Sequence, residues 1–307
     1  MKNGNSWSER CGGTLALIAG LALACGVGAQ TPAPNAKSVP GSAKTSKPAM
    51  KYTPPEFKLV LEPRAMDLLK ATSARLAAAK SMSFTATVSY EYPSKLGPPI
   101  VYTSRYDLAM MRPDKLRVIM PGDGPASEFY YDGKAMLAYV PAENLVAVAD
   151  APPTIDATLR AAFEKAAIYY PFTDLVVADP FAAMTDGAIL AFYIGQSDLV
   201  GGTRTDMVAW ASDDVFLQMW IGADDNLPRR IRAVYRRDPY GLGHQMDLSN
   251  WQLDGALAPE AFVSQKAQSA KRIAFASPAG TSPAGAKPPA KATQAKPARS
   301  GSTTKSQ

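Results

Sequence analysis

The sequence predicts an α+β fold that is mostly antiparallel β, a strongly curved sheet with helices at its start and in its middle. Three observations predict it. Most segments after residue 80 alternate apolar and polar residues with a period of two, which is typical of strands with one buried face. Short connections join these segments, as in antiparallel neighbours. Between two Pro- and Lys-rich tails lie about 225 residues, enough for one domain with an ample core.

The first predicted element is a helix within residues 62–82, where Met66, Leu69, Leu76 and Ala79 recur at helical spacings and Pro63 suits a first turn. The period then drops to two. The sequence next predicts an antiparallel run whose fourth and fifth strands form a hairpin that turns at Asp132-Gly133. Its segments are "SFTATVSYEY" (83–92), "VYTSRYDLAMM" (101–111), "KLRVIM" (115–120), "SEFYYDGKAMLAYV" (127–140) and "NLVAVAD" (144–150).

A second helical section is predicted over residues 154–184, with Thr154 as its N-cap and Pro171 as the residue that stops its first helix. Leu159, Phe163 and Ala167 form its apolar stripe. Strands then resume, and the predicted ranges are 187–195, 204–211, 214–222, 229–236 and 244–253.

The N-terminal residues predict export, and both ends of the chain are predicted to lie outside the folded domain. Lys2 and Arg10 precede an apolar run that ends in small residues, so residues 1–29 are predicted to be a signal peptide. Cleavage after Ala29 would release a soluble periplasmic protein, whereas "ALAC" resembles a lipobox that would leave Cys25 lipidated and the protein membrane-anchored. Residues 30–51 and 277–307 are too polar to form a core, and they are predicted to be a disordered basic linker and a disordered tail around a domain at 52–276.

The net charge of +6 belongs to the tails, because residues 52–276 carry 22 basic and 26 acidic residues. A nucleic-acid-binding domain needs a basic folded surface, so nucleic acid is excluded as a partner. The five arginines between Arg229 and Arg237 alternate with apolar residues and are predicted on the solvated outer face of a strand. Contact of this face with anionic lipid headgroups or with a protein partner, and contact of the basic tails with a membrane surface, stay open.

The sequence predicts no catalytic residue, no metal and no cofactor. Its two cysteines, Cys11 and Cys25, both lie in the signal segment, and His244 is its one histidine. A disulfide in the mature chain and a histidine-based zinc site are therefore excluded. The sequence also lacks the usual hydrolase, metalloprotease and nucleotide-binding motifs, so the protein is predicted not to be an enzyme. A hydrolase that uses His244 or carboxylates ranks last among the alternatives.

Five segments resemble a family of predicted periplasmic proteins of unknown function, itself similar to the outer-membrane lipoprotein carriers of the LolA/LolB-like superfamily. They are "AAAKSMSFTATVSYE" (77–91), "MMRPDKLRV" (110–118), "YYDGKAMLAYVPAENL" (130–145), "MWIGADDNLPRRIRAVY" (219–235) and "HQMDLSNWQLDGALAPEAFV" (244–263). The resemblance implies an incomplete, half-open β-barrel with helices that cap or plug an apolar cavity. It further implies that Arg112, which precedes Pro113 at a strand end, binds a lid helix and governs its opening.

The predicted function follows from this resemblance: an exported, non-enzymatic protein that shields an apolar ligand, a lipid or a lipoprotein acyl chain, in the barrel cavity. The alternative is a cell-envelope scaffold that docks a protein partner through its sheet surface. The predicted cavity lining is taken from the apolar strand faces. It consists of Phe84, Val88, Tyr90, Tyr106, Leu108, Met110, Leu116, Val118, Leu217, Met219, Ile231 and Tyr235.

Overall fold

The computed structural model describes residues 59–122 and 124–277. The predicted signal peptide, both processing sites, the linker 30–51 and residues 278–307 of the tail lie outside the described residues. Within the described part, twelve strands form one sheet in the order β12-β6-β5-β4-β3-β2-β1-β11-β10-β9-β8-β7. The strands are β1 (Ser81–Tyr92), β2 (Ile100–Met111), β3 (Lys115–Met120), β4 (Ser127–Tyr131), β5 (Ala135–Val140), β6 (Leu145–Asp150), β7 (Leu190–Ser197), β8 (Thr205–Ala211), β9 (Val215–Gly222), β10 (Pro228–Tyr235), β11 (Gly243–Leu253) and β12 (Lys271–Ile273).

Alternation along the strands gives the sheet an inner and an outer face. In β1, Phe84, Ala86 and Val88 point to the buried inner face, while the intervening threonines point to the outer face. Cross-strand partners share a face, and Phe84 pairs with Leu108 while Val88 pairs with Met246. A single apolar surface therefore runs across the sheet from β4 to β8.

Four α-helices lie in the described chain: α1 (Pro63–Ala78), α2 (Ile155–Ala166), α3 (Thr173–Val176) and α4 (Pro180–Thr185); two short 3-10 helices, Pro259–Phe262 and Lys266–Ser269, follow β11. The predicted starts of the first two helices are confirmed. Pro63 is the first residue of α1, and the Thr154 hydroxyl caps α2 by accepting a hydrogen bond from Ala157 N at 3.2 Å. The predicted stop at Pro171 is wrong: α2 ends at Ala166, because Ala167 takes a left-handed conformation. No helix in residues 59–122 and 124–277 is both long and apolar enough to cross a bilayer.

Residues 254–277, which we call the C-terminal strap, cross the outer face and were not predicted as structure. Phe262 and Ala267 of the strap are buried, and the Lys266 ammonium lies 3.4 Å from the carboxylate of the buried Glu128 on β4. The Tyr130 hydroxyl donates to Glu128 at 2.7 Å, and burial with this bond raises the pKa of Tyr130 to about 12. Near its end the strap forms β12, which pairs with β6 in parallel, and Ser277 N then donates to the Lys165 carbonyl of α2 at 2.8 Å.

The sheet is not closed into a barrel. At its β7 edge, Glu62 N donates to Ala191 O and Ala191 N donates to Val60 O, so residues 60–62 cover this edge. At the other edge β12 is exposed along its length. The predicted fold class is confirmed: a half-open, mostly antiparallel sheet whose inner face carries helices. For the strands from β7 to β11, the predicted bounds differ from the observed bounds by at most three residues.

Candidate functional site

The inner face is divided into a covered part and an open part. Under the helices, seven of the twelve predicted lining residues are buried in one apolar cluster with Leu69 of α1, Leu159 of α2 and Val176 of α3. These seven are Phe84, Val88, Leu108, Met110, Leu116, Val118 and Met219. The chain's own side chains occupy this space, so an acyl chain reaches these residues only when the helices move.

The cover over the sheet is aromatic. Phe172, just before α3, is 1% exposed and makes edge contacts with Phe84 and Tyr106, each with a centroid separation of 5.6 Å. Tyr170 stacks on Phe172 at 5.5 Å and contacts Phe129 of β4 at 5.9 Å. We call Tyr170 and Phe172 the aromatic plug. Sequence reasoning missed it, although the run "YYPF" (169–172) after a helix was a visible signal.

Four of the other five predicted lining residues lie towards the uncovered end of the inner face, and the fifth, Tyr106, lies beside the aromatic plug. Tyr106, Leu217, Ile231 and Tyr235 are half-buried and Tyr90 is exposed. They continue the apolar surface of the covered part, because Ile231 pairs with Met246 and with Met219. The structure brings four of these predicted residues together at one end of the sheet, and the role of all five in ligand binding stays a prediction.

Aromatic rings border this uncovered end. The Tyr90 ring stacks on Tyr102 at 5.7 Å and on His244 at 6.4 Å, and the Tyr235 ring meets His244 edge-on at 5.3 Å. We call Tyr90, Tyr102, Tyr235 and His244 the aromatic rim. Such rings offer apolar faces together with hydroxyl groups at the edge, which suits a surface between water and hydrocarbon.

Two groups of the rim, Tyr235 and His244, are held in their uncharged forms near neutral pH. Burial raises the pKa of Tyr235, and the Asp174 carboxylate raises it further. Burial lowers the pKa of His244, while the carboxylates of Asp238 and Glu91 raise it by a smaller amount. The neutral imidazole of His244 and the neutral phenol of Tyr235 can line an apolar ligand without the cost of desolvating a charge.

Acidification is expected to destabilise the protein through His244. The folded state lowers the pKa of His244 below the ordinary 6.5. The contribution of the neutral imidazole to the free energy of unfolding is therefore fully present above about pH 6.5, and it is lost as the pH falls below that value. The midpoint of thermal unfolding, measured from about pH 7 to about pH 5, should fall more steeply for the wild type than for His244→Gln. Parallel curves for the two proteins would contradict this assignment.

The predicted lid residue Arg112 directly follows β2, and its side chain contacts the C-terminal end of α3. Its Nη2 donates to the Val177 carbonyl at the C-terminal end of α3 at 3.0 Å. The Asp156 carboxylate of α2 accepts a bond from Ala178 N at 3.1 Å, so both atoms of one peptide group are held. We call Arg112, Asp156 and this 177–178 peptide the latch. Burial lowers the pKa of Arg112, and Asp156 raises it. The gating role of Arg112 stays a prediction.

Four of the five arginines in the 229–237 cluster form ion pairs or hydrogen bonds within the protein. Arg229 pairs with Asp225 at 2.6 Å, Arg230 with Asp247 at 2.5 Å and Arg237 with Asp214 at 2.9 Å. The Arg236 guanidinium donates to the Ser212 carbonyl. β10 ends at Tyr235, so Arg236 and Arg237 lie in the turn after it and not on the strand face where they were predicted. These contacts neutralise much of the cluster, and no observation at this face favours the scaffold alternative over ligand binding.

A second, polar site lies at the start of α1. A surface cleft of about 460 Å³ is lined by Arg64, Asp67, Leu68 and Asp206. The Arg64 guanidinium covers the Tyr193 ring at 3.4 Å, and the Tyr193 hydroxyl donates to Asp206. No group of three or more histidine, cysteine or carboxylate side chains in residues 59–122 and 124–277 could hold a metal ion.

The structure is similar to that of lipoprotein LppX from Mycobacterium tuberculosis, with 10% identity and a TM-score of 0.42 over 64% of this chain and 99% of that chain. It is also similar to a LolA superfamily protein from Nitrosomonas europaea (10% identity, TM-score 0.33, 65% and 97% covered) and to a chain of the MucA/MucB complex of Pseudomonas aeruginosa (16%, 0.39, 68% and 64%). Among curated proteins, no sequence matches this one. A family model described as a predicted periplasmic protein (DUF2092) matches residues 65–276, and the chain therefore belongs to the DUF2092 family of predicted periplasmic proteins.

Proposed function

We propose that this protein is an exported, non-enzymatic binding protein that shields a lipid or lipoprotein acyl chain against the inner face of its sheet. The observation that carries the proposal is the continuous apolar inner face, which extends beyond the helices to Leu217, Ile231 and the aromatic rim. Helices α1, α2 and α3 cover the remainder, and the latch holds α2 and α3 together at the peptide between Val177 and Ala178.

The driving force would be the removal of hydrocarbon from water. Each buried methylene contributes about 0.8 kcal/mol, so about ten of them give a gross 8 kcal/mol, the equivalent of micromolar affinity. Ordering the chain and moving the plug reduce this sum. A ligand with more than about ten methylenes is therefore required, which favours an acyl chain over a small apolar molecule.

The binding event that we propose begins at the rim. An acyl chain first packs along Tyr106, Leu217 and Ile231, and then displaces the aromatic plug from the sheet. The latch opens and the helices move outward, so that the seven covered residues become part of the lining. Release requires a competing apolar site on another protein or in a membrane.

Export would proceed through the signal peptide at residues 1–29, with a mature start at Gln30 or a lipidated Cys25. Mass spectrometry of the N-terminal peptide from the native host distinguishes the two. Either start leaves about thirty residues ahead of the first described residue, Leu59, enough for a tether to a membrane in the lipidated form.

Native mass spectrometry of the protein, purified without detergent from its own envelope, tests the proposed function. We expect a fraction of molecules to carry an acyl-chain lipid. Leu217→Glu should lose this mass because it places a charge on the inner face, and Gln218→Glu should keep it because Gln218 lies on the outer face. Lipid-free wild-type protein that also fails to bind added fatty acid would overturn the proposal.

A further inference from the structure

The β1–β2 hairpin extends well beyond its neighbours in the sheet. Strand β2 pairs with β3 only from Asp107 to Met111, so Ile100–Tyr106 is hydrogen-bonded to β1 alone. Seven residues of strand span about 23 Å at about 3.3 Å per residue. On the other side, the pairing of β1 with β11 ends at Tyr90, before the hairpin turns. The end of this hairpin, residues 92–102, is therefore a projection, and we call it the β1–β2 tip.

The tip exposes large apolar side chains. Leu96 is 92% exposed, and Tyr92, Ile100, Val101 and Tyr102 are all exposed as well. Val101 and Tyr102 are consecutive on β2 and point to opposite faces of the hairpin, so the apolar surface surrounds the tip. A protein groove would bury one face of such a strand, whereas a bilayer surrounds an inserted tip on all sides.

The backbone of the tip is suited to a medium that is poor in water. Pro93, Pro98 and Pro99 have no N–H group. Leu96 N donates to the Ser94 hydroxyl at 3.0 Å, and Gly97 N donates to the Ser94 carbonyl at 3.3 Å. Five of the seven loop residues, 93–99, therefore bring no free backbone donor into the hydrocarbon part of a bilayer, where an unpaired donor is costly.

The charge of the tip fits an anionic surface. Lys95 is the one charged residue between Tyr92 and Tyr102. The Glu91 carboxylate, next to the tip, accepts a hydrogen bond from Gly243 N at 2.7 Å and so faces β11. A lysine beside apolar residues can keep its ammonium among headgroup phosphates while its stem and its neighbours lie deeper.

We propose that the β1–β2 tip docks the protein on the surface of an anionic lipid bilayer, with Leu96 inserted among the acyl chains and the tyrosines at headgroup level. Tyr240 at 70% exposure, in the loop that precedes β11, lies at the same end of the sheet. Because Tyr102 of the tip stacks on Tyr90 of the rim, docking places the rim next to the bilayer. Transfer of a lipid from the bilayer through the rim would rest on the proposed function, whereas the docking itself does not.

Vesicle sedimentation tests the docking. Protein that begins at Gln30 is mixed with vesicles of phosphatidylethanolamine and phosphatidylglycerol at raised salt, which screens the basic tails. We expect Leu96→Glu to weaken partition by about tenfold or more. The matched control is Leu199→Glu, since Leu199 is equally exposed, at 92%, but lies at the opposite end of the sheet. At low salt, where the charge of Lys95 is not screened, Lys95→Glu should weaken binding to these vesicles relative to wild type and leave binding to phosphatidylcholine vesicles unchanged.

A second measurement introduces no charge at the tip and uses only substitutions of exposed residues. The chain from Gln30 onward contains no cysteine, so Leu96→Cys and Leu199→Cys each carry a polarity-sensitive dye at one site. Vesicles should shift the emission of the dye at residue 96 to shorter wavelength and leave the dye at residue 199 unchanged. The docking is overturned if wild type ignores both kinds of vesicle, if Leu96→Glu binds as wild type does, or if the two dyes respond alike. The vesicle experiments do not depend on whether the protein carries a lipid in native mass spectrometry. The docking and the proposed function can therefore each be contradicted without the other.

Discussion

Phe172→Ala is expected to cost about 3–5 kcal/mol of unfolding free energy, the usual range for a fully buried phenylalanine. Phe172 is 1% exposed and contacts Phe84, Tyr106 and Tyr170, so its removal leaves a hole between the sheet and α3. The hole lies where the proposed ligand would enter. We therefore expect a saturating fatty acid to raise the unfolding midpoint of Phe172→Ala by more than it raises that of the wild type.

Phe262→Ala is the matched control for this experiment. Phe262 is also 1% exposed, but it belongs to the C-terminal strap that packs near β3 on the outer face. Its loss should cost a similar stability without a hole at the inner face. Chemical denaturation with and without fatty acid measures both effects. An equal response of the two variants to the ligand would contradict the proposed position of the site.

Arg112→Leu is expected to release a bound acyl chain about tenfold faster. A hydrogen bond from a charged donor contributes about 1.5–3 kcal/mol, and the variant leaves the Val177 carbonyl without its donor. The closed arrangement of α3 loses this contact, while the apolar lining is unchanged. Stopped-flow displacement of a fluorescent fatty acid measures the rate, and faster hydrogen exchange at residues 173–178 would locate the effect at the lid.

Arg117→Leu provides the comparison for the latch. Arg117 is a half-buried arginine of β3 that points to the outer face, and its Nε, like that of Arg112, is buried with no partner in the described structure. This variant should release the fatty acid at the wild-type rate. A gating role for Arg112 is untenable if both leucine variants release the ligand at the same rate.

Local signals in the sequence predicted most of the sheet. The Asp132-Gly133 turn forms because the Asp132 carboxylate accepts bonds from Lys134 N and Ala135 N, and because Gly133 has a positive φ of 96°. Thr154 caps α2 for an equally local reason. Such features depend on residues within a few positions of one another, and period-two patterns then fix which face of each strand is buried.

Features that depend on distant parts of the chain were not predictable in this way. The strap has no periodicity, and its anchor is a contact of Lys266 with Glu128, more than a hundred residues earlier. The same limit applies to the plug, since nothing near Phe172 in the sequence shows that it packs on Phe84. Alternation marked Phe84, Leu108 and Met219 as inward-facing, but it could not show that helices cover them. It did select Tyr106, Leu217 and Ile231, which border the open part.

The central claim is that a hydrocarbon chain binds along the inner face between the rim and the plug. Photo-crosslinking with a fatty acid that carries a diazirine on its chain tests this most directly, with peptide mapping of the labelled sites. We predict labels on peptides that contain Tyr106, Leu217, Ile231 and Phe172, and their loss when unlabelled fatty acid competes. Labels confined to outer-face residues or to the strap, or labels that unlabelled fatty acid does not reduce, would contradict the claim.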